Sequence, residues 1–312
     1  ADVRAIGMLL DSPGILPAPP TLPPRRAGAY DRGVKSLRAA LLLLLLLAIA
    51  GRAPAREFGQ PYFETIAGSE HIGNGIITIA GQDARGLLWF GTPEGLYSYD
   101  GHRLRAYRND PADPRSIGDD YTRALMPHSD GTLWVATQGG ALSIYDPRSD
   151  SFTHHRPRPG DPTAIPGIST LCLVEGSDGE VWVGFGNHGL ARWDARRRVF
   201  ESFAPDPGKP GALQHDTVRA LLIDRRGDLW IGTGNGLQRR RKGASEFEHI
   251  LSQPERSEGF AKQYVYALLE ARDGRLWVGT QSHGGAIVDP LTLELQRLPA
   301  GDWITRYSFA ED

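Results

Sequence analysis

Cysteine occurs once in the 312 residues, as Cys172, so no internal disulfide framework is possible. Charge of one sign is missing too. The 35 Lys and Arg stand against 37 Asp and Glu, a formal net charge of −2, and neither nucleic acid nor an acidic polymer is indicated as a partner. Long apolar runs are scarce. The stretch Ala39 to Ala50 holds twelve residues, about 18 Å of helix against a hydrocarbon core of about 30 Å. Glycine (38) and proline (23) are plentiful in a chain that is 40% hydrophobic. That is a globular composition favouring many short strands and turns over long helices.

The first 60 residues differ from the rest. Residues 11–28 are rich in Pro and Ala and read as disordered. Lys35 and Arg38 then give a basic start to an apolar run ending in the small-x-small patterns Ala48-Ile-Ala50 and Ala53-Pro-Ala55. Residues 34–55 therefore read as a secretory signal peptide, with an uncleaved N-terminal membrane anchor as the alternative. Translation is expected to start at Val34, which makes 1–33 a leader that is either disordered or not part of the natural product. Residues 60–312 form the exported domain.

From residue 76 onward the chain repeats itself. Trp89, Trp134, Trp182, Trp230 and Trp277 are spaced by 45, 48, 48 and 47 residues. A glycine stands three residues before each of them, and Gly or Ala two residues after (Gly91, Ala136, Gly184, Gly232, Gly279). A further glycine closes the next turn: Gly95, Gly140, Gly189, Gly236 and Gly285. Periods of 40–50 residues mark solenoids and propellers. Each unit reads as four short strands. In the fourth these are Thr217–Ile223, Leu229–Gly232, Leu237–Arg240 and Phe247–Ile250, with Asn235-Gly236 as a tight-turn pair.

The expected fold is all-β: a propeller of four-stranded antiparallel blades, five complete, near 76–107, 122–155, 169–203, 217–250 and 264–298. Residues 303–312 resemble the first strand of a partial sixth blade, which suggests truncation, and 60–66 a strand that closes the ring. The string Gly184-Phe-Gly186-Asn-His-Gly189 matches a dinucleotide fingerprint in letters only. A strand follows it where that fingerprint requires a helix. The five tryptophans are expected to pack between blades as a structural ladder. Small residues ten positions before them (Ile79, Ala124, Cys172, Ala220, Ala267) suit strands converging on an axis, so Cys172 reads as a buried filler rather than a nucleophile.

The pattern D-x-x-G-x-L-W-h-G-T-x-x-G-L, in which h is apolar, resembles the two-component regulator propeller repeat. Blade four carries it nearly whole, in Asp224, Gly227, Leu229, Trp230, Gly232, Thr233, Gly236 and Leu237. The linkers NDPADPRSI (109–117) and GDPTAI (160–165) are also similar to that family's. Departures are Phe185 for Thr, Ala136 for Gly, and Arg85 and Arg226 where Asp is usual. The resemblance implies a periplasmic sensor belonging to an inner-membrane receptor, signalling as a homodimer to a histidine kinase or, in some relatives, a diguanylate cyclase. It implies a small-molecule or oligosaccharide ligand. The chain itself carries no phospho-accepting histidine box, kinase glycine motif or GGDEF sequence.

Propellers bind ligands on loops at the axial funnel. The turns between second and third strands offer Glu94, Gln138, Asn187, His188, Asn235, Gln281 and His283, and the segments before the inner strands offer Asp120, Tyr121, His215, Asp216 and Tyr264. Amide, imidazole and phenol groups suit a hydroxyl-bearing ligand. No cofactor, metal or catalytic group is indicated. A propeller polysaccharide lyase or glycosidase is the competing reading. Hydrolysis needs paired carboxylates and the turns supply only Glu94, whereas elimination could use His188 or His283 with Tyr121. A protein-interaction platform dimerising through a blade face is a third. His154-His155, Arg196–Arg198 and Arg239–Lys242 read as solvated surface.

Overall fold

A computed structural model describes residues 72, 75–139, 142–206, 208–250, 263–281 and 284–298, all within the unit Thr65–Asp312. The segments 1–33, 34–55, 60–66 and 303–312 lie outside the described residues. No helix among the described residues is long and apolar enough to cross a membrane.

The described strands form five antiparallel four-stranded sheets, each built from consecutive strands in chain order. Blade one contains β1 (Ile79–Gln82), β2 (Leu88–Thr92), β3 (Gly95–Tyr99) and β4 (Leu104–Tyr107). Blade two contains β5 (Thr122–Pro127), β6 (Leu133–Thr137), β7 (Leu142–Asp146) and β8 (Ser151–His155). Blade three contains β9 (Thr170–Glu175), β10 (Val181–Phe185), β11 (Leu190–Asp194) and β12 (Val199–Phe203). Blade four contains β13 (Val218–Ile223), β14 (Leu229–Thr233), β15 (Gly236–Arg240) and β16 (Glu248–His249), and blade five β17 (Val265–Glu270), β18 (Leu276–Thr280), β19 (Gly285–Val288) and β20 (Leu295–Arg297).

One turn design joins the first two strands of every blade. Gly86, Gly131, Gly179, Gly227 and Gly274 all have φ between 74° and 90°, a region in which a Cβ is strained. The N–H of each donates to the carbonyl three residues back, as in Gly227 to Asp224 at 2.8 Å. Arg85 and Arg226 have a local reason. In their blades the turn acid sits two residues earlier, at Asp83 and Asp224, and the arginine pairs with it at 2.7 and 3.3 Å. Those two acids also accept the indole N–H of Trp89 (3.1 Å) and Trp230 (3.0 Å).

Blades stack through the tryptophans. Trp89 packs with Leu133 and Val135 of blade two, Trp134 with Val181 and Val183 of blade three, Trp182 with Leu229 and Ile231 of blade four, and Trp230 with Leu276 and Val278 of blade five. These four are buried; Trp277 is half-buried. Gly91, Gly184 and Gly232, each two residues after its Trp, are close-approach positions. A Cβ on Gly232 would lie 2.7 Å from Val265 Cγ1, and one on Gly184 2.7 Å from Val218 Cγ1. The next blade's first strand thus occupies the space where a side chain would stand. First strands of consecutive blades adjoin, β1 to β5, β5 to β9, β9 to β13 and β13 to β17, which makes them the innermost strands.

Cys172 is half-buried rather than enclosed. Its Sγ faces Val218 O at 3.6 Å, and desolvation pushes the thiol up to about 12, so it packs and does not react. Two surface expectations fail. Arg239 is buried, lies 5.2 Å over the Trp230 ring, pairs with Glu248 and donates to Pro290 O of blade five at 2.7 Å. His155 sits among Trp134, Trp193 and Phe200, with its ring 4.4 Å from that of Trp193. Long amphipathic side chains at blade edges cover apolar surface that a one-dimensional reading leaves open.

Candidate ligand-binding face

The turns between second and third strands and the segments entering the inner strands share one end of the blades. Gly189 N donates to Asp216 O at 2.6 Å and Gly236 N to Gln263 O at 2.9 Å, each tying a turn to the entry of the following blade. Within each blade from the second to the fifth, the residue four after Trp donates its N–H to the carbonyl thirteen before it. These bonds run from Gln138 to Tyr121, Gly186 to Ser169, Gly234 to Thr217 and Gln281 to Tyr264, at 2.8 to 3.0 Å.

Beside these bonds each inner strand carries an irregularity. The pairing skips Arg123 between Thr122 and Ala124, Leu171 between Thr170 and Cys172, Arg219 between Val218 and Ala220, and Tyr266 between Val265 and Ala267. A bulge at a strand end re-aims the extra side chain. Arg123 Nη2 donates to Gln138 Oε1 at 2.7 Å, and its guanidinium lies 5.1 Å from the Tyr121 ring. Three blades on, the same pair of positions holds Tyr266, whose hydroxyl donates to Gln281 Oε1 at 3.4 Å. Arg219 lies over two rings of blade five, Tyr264 at 5.6 Å and Tyr266 at 4.9 Å. Arg123 Nε and Arg219 Nε are both buried without a partner.

The expected residues divide accordingly. Gln138, Gln281 and Tyr121 meet the bulged side chains. His215 stands with its ring 6.1 Å from that of Tyr264, and its Nδ1 lies 3.0 Å from Thr217 N and 3.2 Å from Asp216 Oδ1. Gly234 makes room for this group, since a Cβ there would be 2.6 Å from His215 Cε1 and 2.9 Å from Tyr264 Cε1. Asn187 and His188 are exposed on the longer blade-three turn and bond each other at 2.7 Å. Glu94 and Asn235 serve their own turns, with backbone N–H groups donating to Thr92 Oγ1 and Thr233 Oγ1, each at 3.0 Å. Asp120 accepts the Asn109 N–H at 2.6 Å. His283 lies outside the described residues.

Arg123, Arg219 and Tyr266 were missed by sequence reasoning. Their signal is the column eleven residues before each Trp (Thr78, Arg123, Leu171, Arg219, Tyr266), large and mostly polar inside apolar strands. Among the described residues no three His, Cys, Asp or Glu are placed to hold a metal. The described residues of this face offer donors, acceptors and aromatic rings.

Sheets of this order, stacked through inner strands, define a β-propeller. Residues 212–235 and 259–282 match the two-component regulator propeller model. Over 77 residues the chain is 39% identical to histidine kinase P4 of Formosa agariphila, covering 25% of this chain and 5% of that protein. Among solved structures, an extracellular domain described as that of the hybrid two-component system BT4673 of B. thetaiotaomicron aligns with TM-score 0.56 and 23% identity, over 71% of this chain and 27% of that one. Virginiamycin B lyase of Staphylococcus aureus aligns with TM-score 0.53 and 13% identity, over 72% and 71% of the two chains. These two likenesses show the fold alone. The chain spans a small part of the kinase and about a quarter of the extracellular domain.

Proposed function

We propose that this propeller is the exported, periplasmic ligand-sensing part of a two-component receptor. The end carrying Arg123, Arg219 and Tyr266 is its binding face, and the ligand is carbohydrate-like or another small polar molecule. The reading is supported by one juxtaposition above the others. The bulged inner-strand side chains meet the turn amides and entry tyrosines of the same end. Guanidinium, amide and phenol groups around aromatic rings suit a polyhydroxylated ring, which needs neutral donors and acceptors together. Signal output through a histidine kinase in an inner-membrane homodimer extends the same reading, with a diguanylate cyclase as the alternative output.

Thermal denaturation of the chain against a panel of neutral and acidic oligosaccharides tests it. A ligand at one hundred times its Kd should stabilise the fold by about 2.7 kcal/mol, and the Arg219→Gln and Tyr266→Phe variants should lose that gain while melting near the parent. A panel without any stabilising saccharide, or stabilisation that both variants retain, overturns the binding face. Release of an unsaturated or hydrolysed product would favour a lyase or glycosidase instead.

A further inference from the structure

A second concavity shares no lining residue with that face and lies between blades two and three, against the outer strand β8. It has a volume of about 680 Å³ and is bounded by β8, the linker after it, and the β11–β12 hairpin. Arg115, Arg156, Arg158 and Arg198 line it, and no acidic residue does. Arg158 pairs with Asp161 at 3.1 Å and Arg115 only loosely with Asp113 at 3.6 Å. Arg156 and Arg198 have no acidic partner among the described residues. Arg198 has a left-handed backbone (φ 56°), in which its N–H donates to Asp194 O at 2.7 Å. Such a conformation is uncommon outside glycine, asparagine and aspartate.

Three rings line the same cavity, inclined to one another. His155 and Trp193 lie 4.4 Å apart, with Phe200 5.1 Å from His155. His155 makes no hydrogen bond to any described residue. Desolvation first, then Arg198, Arg158 and His154, push its imidazole down to about 4, so the ring is neutral at pH 7 and keeps one donor and one acceptor free. Four like charges line one concave site, an arrangement whose potential attracts anions. Arginine presents paired N–H groups that match an oxyanion. The volume exceeds that of a bare oxyanion and falls within the range of small-ligand pockets.

We propose that this cavity binds a small ring-bearing monoester of phosphate or sulfate, with the oxyanion held by Arg156 and Arg198 and the ring against His155 and Trp193. The site is separate from the axial face, and neither proposal depends on the other.

Titration calorimetry of the 312-residue chain at low salt with glucose 6-phosphate, glucose 6-sulfate, glucose and inorganic phosphate tests it. At least one ester should bind, and the tighter of the two identifies the ester class. Neither glucose nor inorganic phosphate should match it. The Arg156→Ser/Arg198→Asn double variant should weaken binding at least about tenfold, the loss of charge-assisted hydrogen bonds. Its melting temperature should be unchanged, because both side chains are exposed and asparagine tolerates the left-handed backbone. By NMR, with His155→Gln assigning the signal, the His155 midpoint should rise by about one pH unit when the ester binds, since a neighbouring anion favours the imidazolium. Esters that bind no better than glucose or phosphate, a folded double variant with parental affinity, or an unmoved His155 midpoint would each overturn the assignment.

Discussion

The two ends of the blades obey different rules. At the end where first strands turn into second strands, five turns make the same backbone hydrogen bonds around a glycine of positive φ. At the opposite end the backbone bonds also recur, but the side chains they carry do not. The bulged column holds Arg123, Leu171, Arg219 and Tyr266 in successive blades. Repetition at one end reflects a backbone need that every blade shares. Variation at the other reflects side chains freed from that need, and a site for a particular ligand can only be assembled from residues that differ. Function in a repeat fold is therefore to be sought where the repeat holds its backbone and abandons its side chains.

The largest break in that comparison should come from the repeated positions. Gly232→Val places a branched side chain where Val265 Cγ1 and Ala220 Cβ already stand, 2.7 and 3.0 Å from a Cβ. It should cost about 1–3 kcal/mol in urea denaturation, as overpacking does. A value near zero would mean that blades four and five do not meet through this contact.

A finer test sets one blade against another. Trp230 donates its indole N–H to Asp224, whose side chain is fully buried. Blade three has Gly176 at the matching position, and its Trp182 has Arg192 and Arg240 over its ring at 5.7 and 5.1 Å, as Trp230 has Arg239 at 5.2 Å. Trp230→Phe should therefore destabilise by about 1–2 kcal/mol more than Trp182→Phe, because it leaves a buried carboxylate short of a donor. Equal losses would show that the indole bond contributes nothing.

The same acid gives the turn end a pH dependence. Burial alone would raise the Asp224 carboxyl, but hydrogen bonds from Trp230, Asp228 and Arg226 outweigh it and hold it below its ordinary value of 3.8. Its contribution is therefore complete above about pH 4 and fades as pH falls through the lower folded value. Asp224→Asn should flatten the acid limb of a stability-against-pH curve below pH 4. A variant whose acid limb overlays the parent's would contradict this.

The smallest effect belongs to the variable end. Arg219→Gln removes a guanidinium from two tyrosine rings and also a buried, unpartnered Nε, so the change in stability should be about 1 kcal/mol or less. A loss as large as that of Gly232→Val would make Arg219 a fold residue and erase the distinction between the ends.

Much of the fold was legible in the residues. Trp spacing gave the blades, glycines gave the turns, and the small residue after each Trp marked the close approach. The candidate site was legible only in part. Gln138, Gln281, Tyr121 and His215 stand on turns whose position follows from the repeat. Arg123, Arg219 and Tyr266 were hidden because a bulge does not announce itself in a strand of four to six residues. Arg239 and His155 looked solvated for a related reason: the surfaces that cover them, Pro290 in one case and Trp193 in the other, come from the next blade.

The amino-acid sequence by itself determined the blade, since turn glycines, strand alternation and the tryptophan contact are set within about 45–48 residues and written out each time. Only the tertiary structure decided which of the unrepeated residues meet. Those meetings join side chains from neighbouring blades or across a register shift, and their distances depend on how sheets stack, not on the order of residues along any one of them.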